Sequence, residues 1–162
     1  MAFFKKLIPF KTVPKDTSAA EEFSRNLSVD VLARTLWAEA RGEGVLGMEA
    51  VACVVLNRVR IAQVFGGYWW GNDIIQVCQK PYQFSCWLKS DPQYPRLLKL
   101  DESDKHFATA LRIARRAVEG MLSDETGGAT HYHADYISPT WADPSKKTAT
   151  IGRHIFYKLV EV

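Results

Sequence analysis

Two glutamates, Glu39 and Glu43, lie in the stretch Trp37–Gly44, which reads WAEARGEG. The apolar residues before this stretch recur at helical spacing, and its glycines predict that the helix ends here. Glu39 then lies in the last helical turn beside apolar side chains, an environment that raises the pKa of a carboxyl group. A carboxylic acid that stays protonated near neutral pH is what general-acid cleavage of a glycosidic bond requires. Glu39 is therefore the candidate catalytic acid.

Each glutamate also has a simpler interpretation. Glu39 can be a surface carboxylate that forms an ion pair with Arg41, Arg58 or Arg60. Glu43 can be a second catalytic carboxylate, or it can cap the helix that begins near Gly47, because negative charge is stabilised at helix N-termini. The backbone beyond Gly42 is not expected to be helical, so the two carboxylates need not point the same way. We prefer the capping role for Glu43.

Two histidines and one cysteine offer other chemistry. His131 and His133 form H-x-H on a predicted strand, where residues two apart face the same side, and this spacing can hold a metal ion. No third ligand motif accompanies them, so we expect neither a metal nor another cofactor. Cys86 lies upstream of both histidines, and a Cys–His nucleophile pair would indicate an amidase or a peptidase. The simpler interpretation of Cys86 is a half-buried thiol in an aromatic loop.

Aromatic residues are concentrated in the predicted loops and near the strand ends. Some of them must belong to the core, but rings interleaved with Asn and Gln also suit a sugar cleft. In such a cleft ring faces stack on pyranose faces and amides bind hydroxyl groups. The residues in question are Tyr68, Trp69, Trp70, Tyr82, Phe84, Trp87, Tyr132, Tyr136 and Trp141.

Helices must position most of these side chains. Apolar residues at helical spacing predict a first helix over about 29–41, with Ser28 as its N-cap. A second helix is predicted over about 46–63, and because it is apolar nearly all round it should lie at the centre of the domain. A short helix is expected within 73–79.

The second half of the chain combines a loop, a helix and strands. Residues 80–95 show no periodicity and are expected to form a long loop. A third helix is predicted over 101–122, capped by Asp101 or Ser103. The segments ATHYHADY and TATIGRHIFYKLVEV have strand character and should form a small antiparallel sheet. The expected fold is a mostly helical α+β domain with a small C-terminal sheet.

The composition is that of one ordinary globular domain. The chain has 162 residues, 47% of them hydrophobic and 24% charged, and its net charge of +3 suits an anionic polymer but is too weak to indicate nucleic acid. Its 3 cysteines are too sparse for a disulfide framework and fit folding in a reducing cytosol. We expect residues 1–27 to be a flexible arm and residues 28–162 to be the functional domain.

The first residues, MAFFKKLIPFKTVPKDTSAAEEFS, were considered as a targeting signal. A secretory signal needs a continuous apolar stretch of about 7–15 residues after its charges, and lysines and prolines interrupt this segment. No stretch of about 20 apolar residues occurs that would span a membrane. We therefore expect synthesis in the cytoplasm without a signal peptide and no stable membrane insertion.

Several segments together resemble the SleB/CwlJ-type cell-wall hydrolases. The stretch LARTLWAEARGEGVLGMEAVACVVLNRVR is similar to the pattern of that family: E-A-R-G-E, a glycine a few residues on, an A-V-A run and N-R-V. The Phe-Ser pair of QFSCW and the segments GGATHYHADYISPTW and IGRHIFYKL also agree, in the right order. The likeness covers about 32–159. An isolated E-A-R-G-E would be a weak signal, but the set is specific.

The resemblance implies a peptidoglycan-cleaving domain of lysozyme-like or transglycosylase-like architecture, with Glu39 as its catalytic acid/base. It implies cleavage of the glycan between N-acetylmuramic acid and N-acetylglucosamine, most simply as a lytic transglycosylase, which works with one carboxyl group. It also implies that the sheet segment 130–132 borders the cleft. The residues expected to bind the substrate are Gln83, Phe84, Ser85, Thr130, His131, Tyr132, His133 and Tyr136.

The biological setting follows from a departure from the family. Spore-cortex members carry a secretion signal and a separate wall-binding domain, and this chain shows neither. It is more similar to a monomeric phage-type endolysin, or to the lysis enzyme of a gene-transfer particle, that reaches the wall through a holin-type pore. Two alternatives remain: a Cys–His amidase or peptidase that uses Cys86, and a non-catalytic wall-binding or particle-structural module.

Overall fold

The computed structural model describes residues 17–162, and these form a helical body with one small sheet. The helices are α1 Thr17–Ala40, α2 Gly44–Phe65, α3 Ile74–Gln79, α4 Tyr94–Lys99 and α5 Lys105–Val118, and the strands are β1 His131–Ala134, β2 Lys147–Ile151 and β3 His154–Tyr157. Short 3-10 turns occupy Arg41–Glu43, Ser85–Trp87 and Pro144–Lys146. The mostly helical α+β class predicted from the sequence is confirmed.

The start of α1 was predicted wrongly. The helix spans Thr17–Ala40, and Ser28, the predicted N-cap, lies inside it and donates its hydroxyl to the carbonyl of Ser24. No glycine or proline interrupts 17–40, and the helix formers before Ser28 favour continuation. The side chains of residues 18–27 are exposed, whereas Val29 begins the buried stripe. The division into an arm and a domain at residue 28 stays a prediction, and residues 1–16 lie outside the described part of the chain.

Helix α2 lies at the centre of the body, as its uniformly apolar sequence predicted. Val51, Val54 and Val55 have no exposed surface; Val51 and Val55 belong to the helical core, whereas Val54 packs with residues of the sheet. One side of α2 contacts the core that α1 and α5 share with it, and another side contacts the sheet through Ala50 and Val54. This sandwiching of α2 fixes the sheet against the helical body.

The third long helix, α5, is shorter than predicted at both ends. The cap is Asp104, whose side chain accepts the backbone N–H groups of His106 and Phe107, both at 2.9 Å. Asp101, one of the two predicted caps, instead accepts the N–H of Ser103 in the preceding turn. Gly120 has a φ of 72°, which ends the helix before residue 122.

The C-terminal sheet is antiparallel, as predicted, with the order β1-β3-β2. Tyr132 pairs with Phe156, and Ala134 pairs with His154. The predicted loop over 80–95 contains a 3-10 turn at Ser85–Trp87 and runs into α4, which the sequence analysis missed. Among residues 17–162, no helix is long and apolar enough to cross a membrane.

Candidate active site

Glu39 lies in the last turn of α1 and belongs to the walls of two cavities. The first, of about 500 Å³, is called the helix-end cavity and is lined by Ala38, Glu39, Ala40, Arg41, Gly42, Glu43, Gln93, Ala134, Tyr136, Arg153 and His154. The second, of about 420 Å³, is called the aromatic cavity and is lined by Glu39, Arg58, Trp69, Tyr82, Gln83, Phe84, His131, Tyr132 and Trp141. Because Glu39 lies in the walls of both cavities, a ligand that occupied both would contact this residue.

The surroundings of Glu39 favour its protonated form. Burial raises the pKa of its carboxyl group from 4.5 to about 7, and the negative charge of Asp91 acts in the same direction. A hydrogen bond from the Tyr132 hydroxyl opposes this shift, because it stabilises the carboxylate. No arginine or lysine among residues 17–162 forms an ion pair with Glu39, so the surface-pair interpretation is wrong. The site can therefore supply a proton near neutral pH and hold the resulting carboxylate.

The end of α1 is built around a stack of Arg41 on Trp37. The Trp37 side chain is buried, and the Arg41 guanidinium lies 3.9 Å from the centre of its ring. Arg41 also donates to the carbonyl of Trp37 at 3.1 Å, which satisfies a carbonyl left free at the helix end. Gly44, with a φ of 74°, then turns the chain into α2. These contacts hold Glu39 at a defined place in the cleft.

The preferred role of Glu43 as a side-chain cap of α2 is wrong. Glu43 occupies the N-cap position, but its side chain makes no capping hydrogen bond. Its Oε2 atom instead accepts the backbone N–H of Arg153, at 3.1 Å, in the turn between β2 and β3. Gly47 and Gly152 leave room for this side chain, because a Cβ atom at either position would collide with it. Glu43 thus joins the α1–α2 junction to the sheet.

This contact predicts different effects for two substitutions of Glu43. Glu43→Gln keeps an oxygen that can accept the Arg153 N–H, so we expect activity within a few-fold of wild type. Glu43→Ala loses the bond and should lower the free energy of unfolding by about 1 kcal/mol and raise KM. Denaturant unfolding and steady-state kinetics on both variants test this. If Glu43→Gln were as inactive as Glu39→Gln, Glu43 would be a catalytic partner.

The structure brings five of the predicted substrate-binding residues to the cleft. Gln83, Phe84, His131 and Tyr132 line the aromatic cavity, and Tyr136 lines the helix-end cavity. Their chain positions span two loops and β1, yet all of them lie in cavity walls that include Glu39. The expectation that the 130–132 segment borders the cleft is therefore consistent with the position of β1.

The other three predicted residues line neither cavity. Thr130 is fully buried; its hydroxyl oxygen lies 2.8 Å from Nδ1 of His131, and its carbonyl accepts the Nε–H of Arg58 at 2.8 Å. The Nε2 atom of His133 lies 2.9 Å from the Tyr157 hydroxyl. The Ser85 side chain is exposed. Substrate contact by Ser85 or His133 stays a prediction.

The structure gives no support to a cysteine nucleophile or a metal centre in its described part. Cys53, Cys78 and Cys86 are free thiols, and all are buried. Burial raises the pKa of Cys86 well above its usual value, which disfavours the reactive thiolate. Within residues 17–162, no group of three or more His, Cys, Asp or Glu side chains is placed to hold a metal ion. The expectation that the protein needs no metal or cofactor stays a prediction.

Several cleft residues were not singled out from the sequence. Trp69, Tyr82 and Trp141 line the aromatic cavity and belonged to the predicted aromatic set, but nothing in the sequence separated them from core aromatics. Arg58, in the N-R-V segment, was considered only as a partner of Glu39. His154 lines the helix-end cavity with its Nδ1 atom buried and unpaired, and no sequence signal marked it.

A helical body and a small antiparallel sheet that enclose one desolvated glutamate define a lysozyme-like domain. Residues 42–157 match the family described as Cell Wall Hydrolase, and the chain belongs to this family. The match begins just after Glu39, so the assignment of that residue depends on its geometry and its motif rather than on the matched segment. The resemblance to the SleB/CwlJ-type enzymes is confirmed.

Solved structures and curated sequences show the same likeness. The catalytic domain of the germination-specific lytic transglycosylase SleB from Bacillus anthracis has a TM-score of 0.59 and 28% identity, covering 81% of this chain and 93% of that domain. The SleB catalytic domain from Bacillus cereus has a TM-score of 0.60 and 28% identity, covering 82% of this chain and 91% of that domain. A spore cortex-lytic enzyme of Bacillus cereus is 29% identical over 147 residues, which are 89% of this chain and 49% of the relative. The chain thus spans about half the length of the curated relatives it matches.

Proposed function

We propose that the protein degrades peptidoglycan by cleaving the glycosidic bond between N-acetylmuramic acid and N-acetylglucosamine, with Glu39 as the catalytic acid/base. The observation that carries this proposal is the position of Glu39 between two cavities, with burial raising the pKa of its carboxyl group to about 7. Membership of the cell-wall hydrolase family supports the substrate class. The aromatic cavity offers ring faces on which sugars can stack.

The proposed reaction is that of a lytic transglycosylase with one carboxyl group. Glu39 donates its proton to the glycosidic oxygen, and the bond from that oxygen to C1 of the muramoyl unit breaks. The Glu39 carboxylate then takes the proton of the muramoyl C6 hydroxyl, whose oxygen bonds to C1 and closes a 1,6-anhydro ring. The Tyr132 hydroxyl can stabilise the carboxylate between these two steps. The acid is regenerated, and no water is consumed.

The engagement of Glu43 favours this route over hydrolysis. Glycosidases that use water commonly need a second carboxyl group, about 5–9 Å from the first, as a base or a nucleophile. Glu43 is the other carboxylate in the helix-end cavity, and it accepts the Arg153 N–H in the sheet turn. A carboxylate with a positioning task of this kind is less available to activate water.

Mass spectrometry of the released muropeptides tests the reaction. We expect wild-type digests of purified sacculi to contain 1,6-anhydro ends, because the proposed ring closure leaves each product one water lighter than a hydrolysed one. Digests made only of hydrated products would refute the transglycosylase reaction and return Glu43 to a catalytic role. Free amines would indicate the amidase alternative, and no release at all would indicate a non-catalytic wall-binding module.

We further propose that this activity serves cell lysis, in the manner of a phage-type endolysin that reaches the wall through a holin-type pore. Family membership supports action on the cell wall but does not define the biological setting. Expression in a bacterial cytoplasm, with and without a pore-forming protein, tests the proposal. Rapid loss of culture turbidity should require both the pore and Glu39, and lysis without the pore would contradict the proposed release.

A further inference from the structure

Arg58 is a buried cation without a carboxylate partner. Arg58, on α2, is only 6% exposed, and its guanidinium contacts neutral oxygens and aromatic rings, with the ring centres of Trp70 and Phe84 at 5.0 Å and 6.0 Å. Its Nε atom donates to the carbonyl of Thr130 at 2.8 Å, and one terminal nitrogen donates to Oε1 of Gln83 at 3.1 Å. No Asp or Glu among residues 17–162 forms an ion pair with it. A buried charge without a counter-charge is costly to the fold, so its presence calls for a compensating task.

The unused hydrogen-bond donors of Arg58 face the aromatic cavity. A guanidinium has five N–H donors, and the two bonds to Thr130 and Gln83 leave the others free. Arg58 lines the aromatic cavity. Among residues 17–162, the buried side-chain nitrogen and oxygen atoms that lack a hydrogen-bond partner include none of the Arg58 nitrogens. The terminal nitrogen that forms no hydrogen bond can therefore be reached from the cavity. A planar guanidinium presented in this way matches the two oxygens of a carboxylate.

His131 provides a second donor beside Arg58. The Thr130 hydroxyl oxygen accepts the N–H of Leu159 at 3.1 Å, and it lies 2.8 Å from His131 Nδ1, to which it can donate its own hydrogen. This arrangement favours the tautomer with hydrogen on Nε2. Burial and the charge of Arg58 lower the pKa of His131 to about 4, so the ring is neutral at physiological pH. His131 lines the same cavity, with its ring centre 5.3 Å from that of Trp141.

The helix-end cavity is less suited to an anion. Glu43 lies in its wall, and its carboxylate would repel another carboxylate. Arg153, in the same wall, is exposed, and its guanidinium is 3.7 Å from the Asp135 carboxylate. Arg41 uses one terminal nitrogen on backbone carbonyls and on Gln93. Arg58, the buried cation without a carboxylate partner, lies on the aromatic side of Glu39.

We propose that the aromatic cavity binds a carboxylate carried by the muramoyl unit, through the Arg58 guanidinium and His131 Nε2–H, and so sets the direction of the glycan. This inference rests on the proposed function. The muramoyl unit then lies on the aromatic side of Glu39, and the leaving N-acetylglucosamine lies in the helix-end cavity. The carboxylate is either the lactyl group of a peptide-free strand or a carboxylate of the stem peptide.

The test compares soluble glycan oligomers of equal length that differ only at the carboxylate. One oligomer is peptide-free with the lactyl carboxylate, one is its neutral carboxamide, and one carries the stem peptide. If wild type binds the lactyl carboxylate, we expect KM to rise about tenfold or more from carboxylate to carboxamide, with kcat changed much less, because a charge-assisted hydrogen bond is lost. If it binds a stem-peptide carboxylate, the two peptide-free oligomers should have equal KM values and the peptide-bearing oligomer a KM about tenfold lower or more. A lower KM for the peptide-free oligomer identifies the lactyl source, and a lower KM for the peptide-bearing one identifies the stem. Equal KM values for all three overturn the proposal.

Variants locate the effect at Arg58. Arg58→Gln should remove the discrimination between carboxylate and carboxamide, whereas Arg60→Gln, an exposed arginine on the same helix, should keep it. Arg58→Lys retains charge and should retain part of the discrimination. If Arg58→Gln does not fold, the KM values of wild type for the three oligomers still test whether a carboxylate is bound. Calorimetric binding of the same oligomers to Glu39→Gln separates the two hypotheses: discrimination in binding without cleavage by wild type would refute the proposed reaction and leave the anion site standing.

Discussion

Glu39→Gln is expected to lower peptidoglycan cleavage by about 10²–10⁴-fold, and towards the upper end of that range, because the proposed reaction has no other acid. The amide is similar in size and can still accept the Tyr132 hydrogen bond, but it cannot donate a proton to the glycosidic oxygen. Release of muropeptides from purified sacculi measures the loss. Far-ultraviolet circular dichroism should show that the variant keeps its helical fold.

Glu49→Gln is a matched control for this substitution. Glu49 is on α2, lines neither cavity of the cleft and forms an ion pair with Arg116 at 3.1 Å. We expect its activity to stay close to wild type, since a partly exposed ion pair contributes little. Activity of Glu39→Gln within a few-fold of wild type would remove Glu39 from the catalytic role and with it the proposed mechanism.

Glu39→Gln is also expected to stabilise the fold at high pH. The pKa of Glu39 is about 7 in the folded protein, against a usual value of 4.5, so between these values the folded state binds more protons than the unfolded state. Stability that depends on this group therefore falls as pH rises from about 4.5 to about 7. The change in the pKa from 4.5 to about 7 corresponds to about 3 kcal/mol. At pH 8, Glu39→Gln should be more stable than wild type by up to that amount.

Denaturant unfolding of both proteins at pH 4, 6 and 8 measures this effect. The difference in unfolding free energy between variant and wild type is the informative quantity, because His131 changes charge in the same range in both proteins. Burial lowers the pKa of His131 to about 4, so its contribution to stability rises with pH and would mask the trend in either protein alone. A difference that does not change between pH 4 and pH 8 would show that Glu39 is not desolvated.

A stabilising substitution that abolishes activity would have a direct physical meaning. The carboxyl group is placed in surroundings that disfavour its charge, and that cost to folding is what makes it a proton donor near neutral pH. A variant that loses activity and gains stability at high pH distinguishes a catalytic glutamate from an ordinary buried one. If Glu39 were an ordinary structural residue, Glu39→Gln would lower the free energy of unfolding by altering its hydrogen bonds, and it would not raise it at any pH.

The local elements and the catalytic candidate were determined by the sequence itself. The apolar stripe that ends at Ala40 and the glycines after it place Glu39 at the end of a helix beside apolar side chains, and only neighbours in the chain are needed for this. The uniformly apolar α2 and the alternating C-terminal strands are likewise properties of short segments. Boundaries were less predictable, because Ser28 can continue a helix as readily as cap one, and Asp104 and Asp101 are equally good caps by type.

Only the tertiary structure decided what the charged side chains do. Glu43 could be assigned as a cap from its neighbours, yet its partner is the N–H of Arg153, 110 residues away along the chain. Arg58 could be assigned as an ion-pair partner, yet packing surrounds it with neutral oxygens and leaves its free donors in a cavity. Hydrogen bonds and desolvation depend on distances in space, and residues far apart in the chain set those distances only when the sheet closes on the helices. The sequence therefore singles out the candidate acid, and the fold determines the pKa of that carboxyl group, the partner of the second glutamate and the surroundings of Arg58.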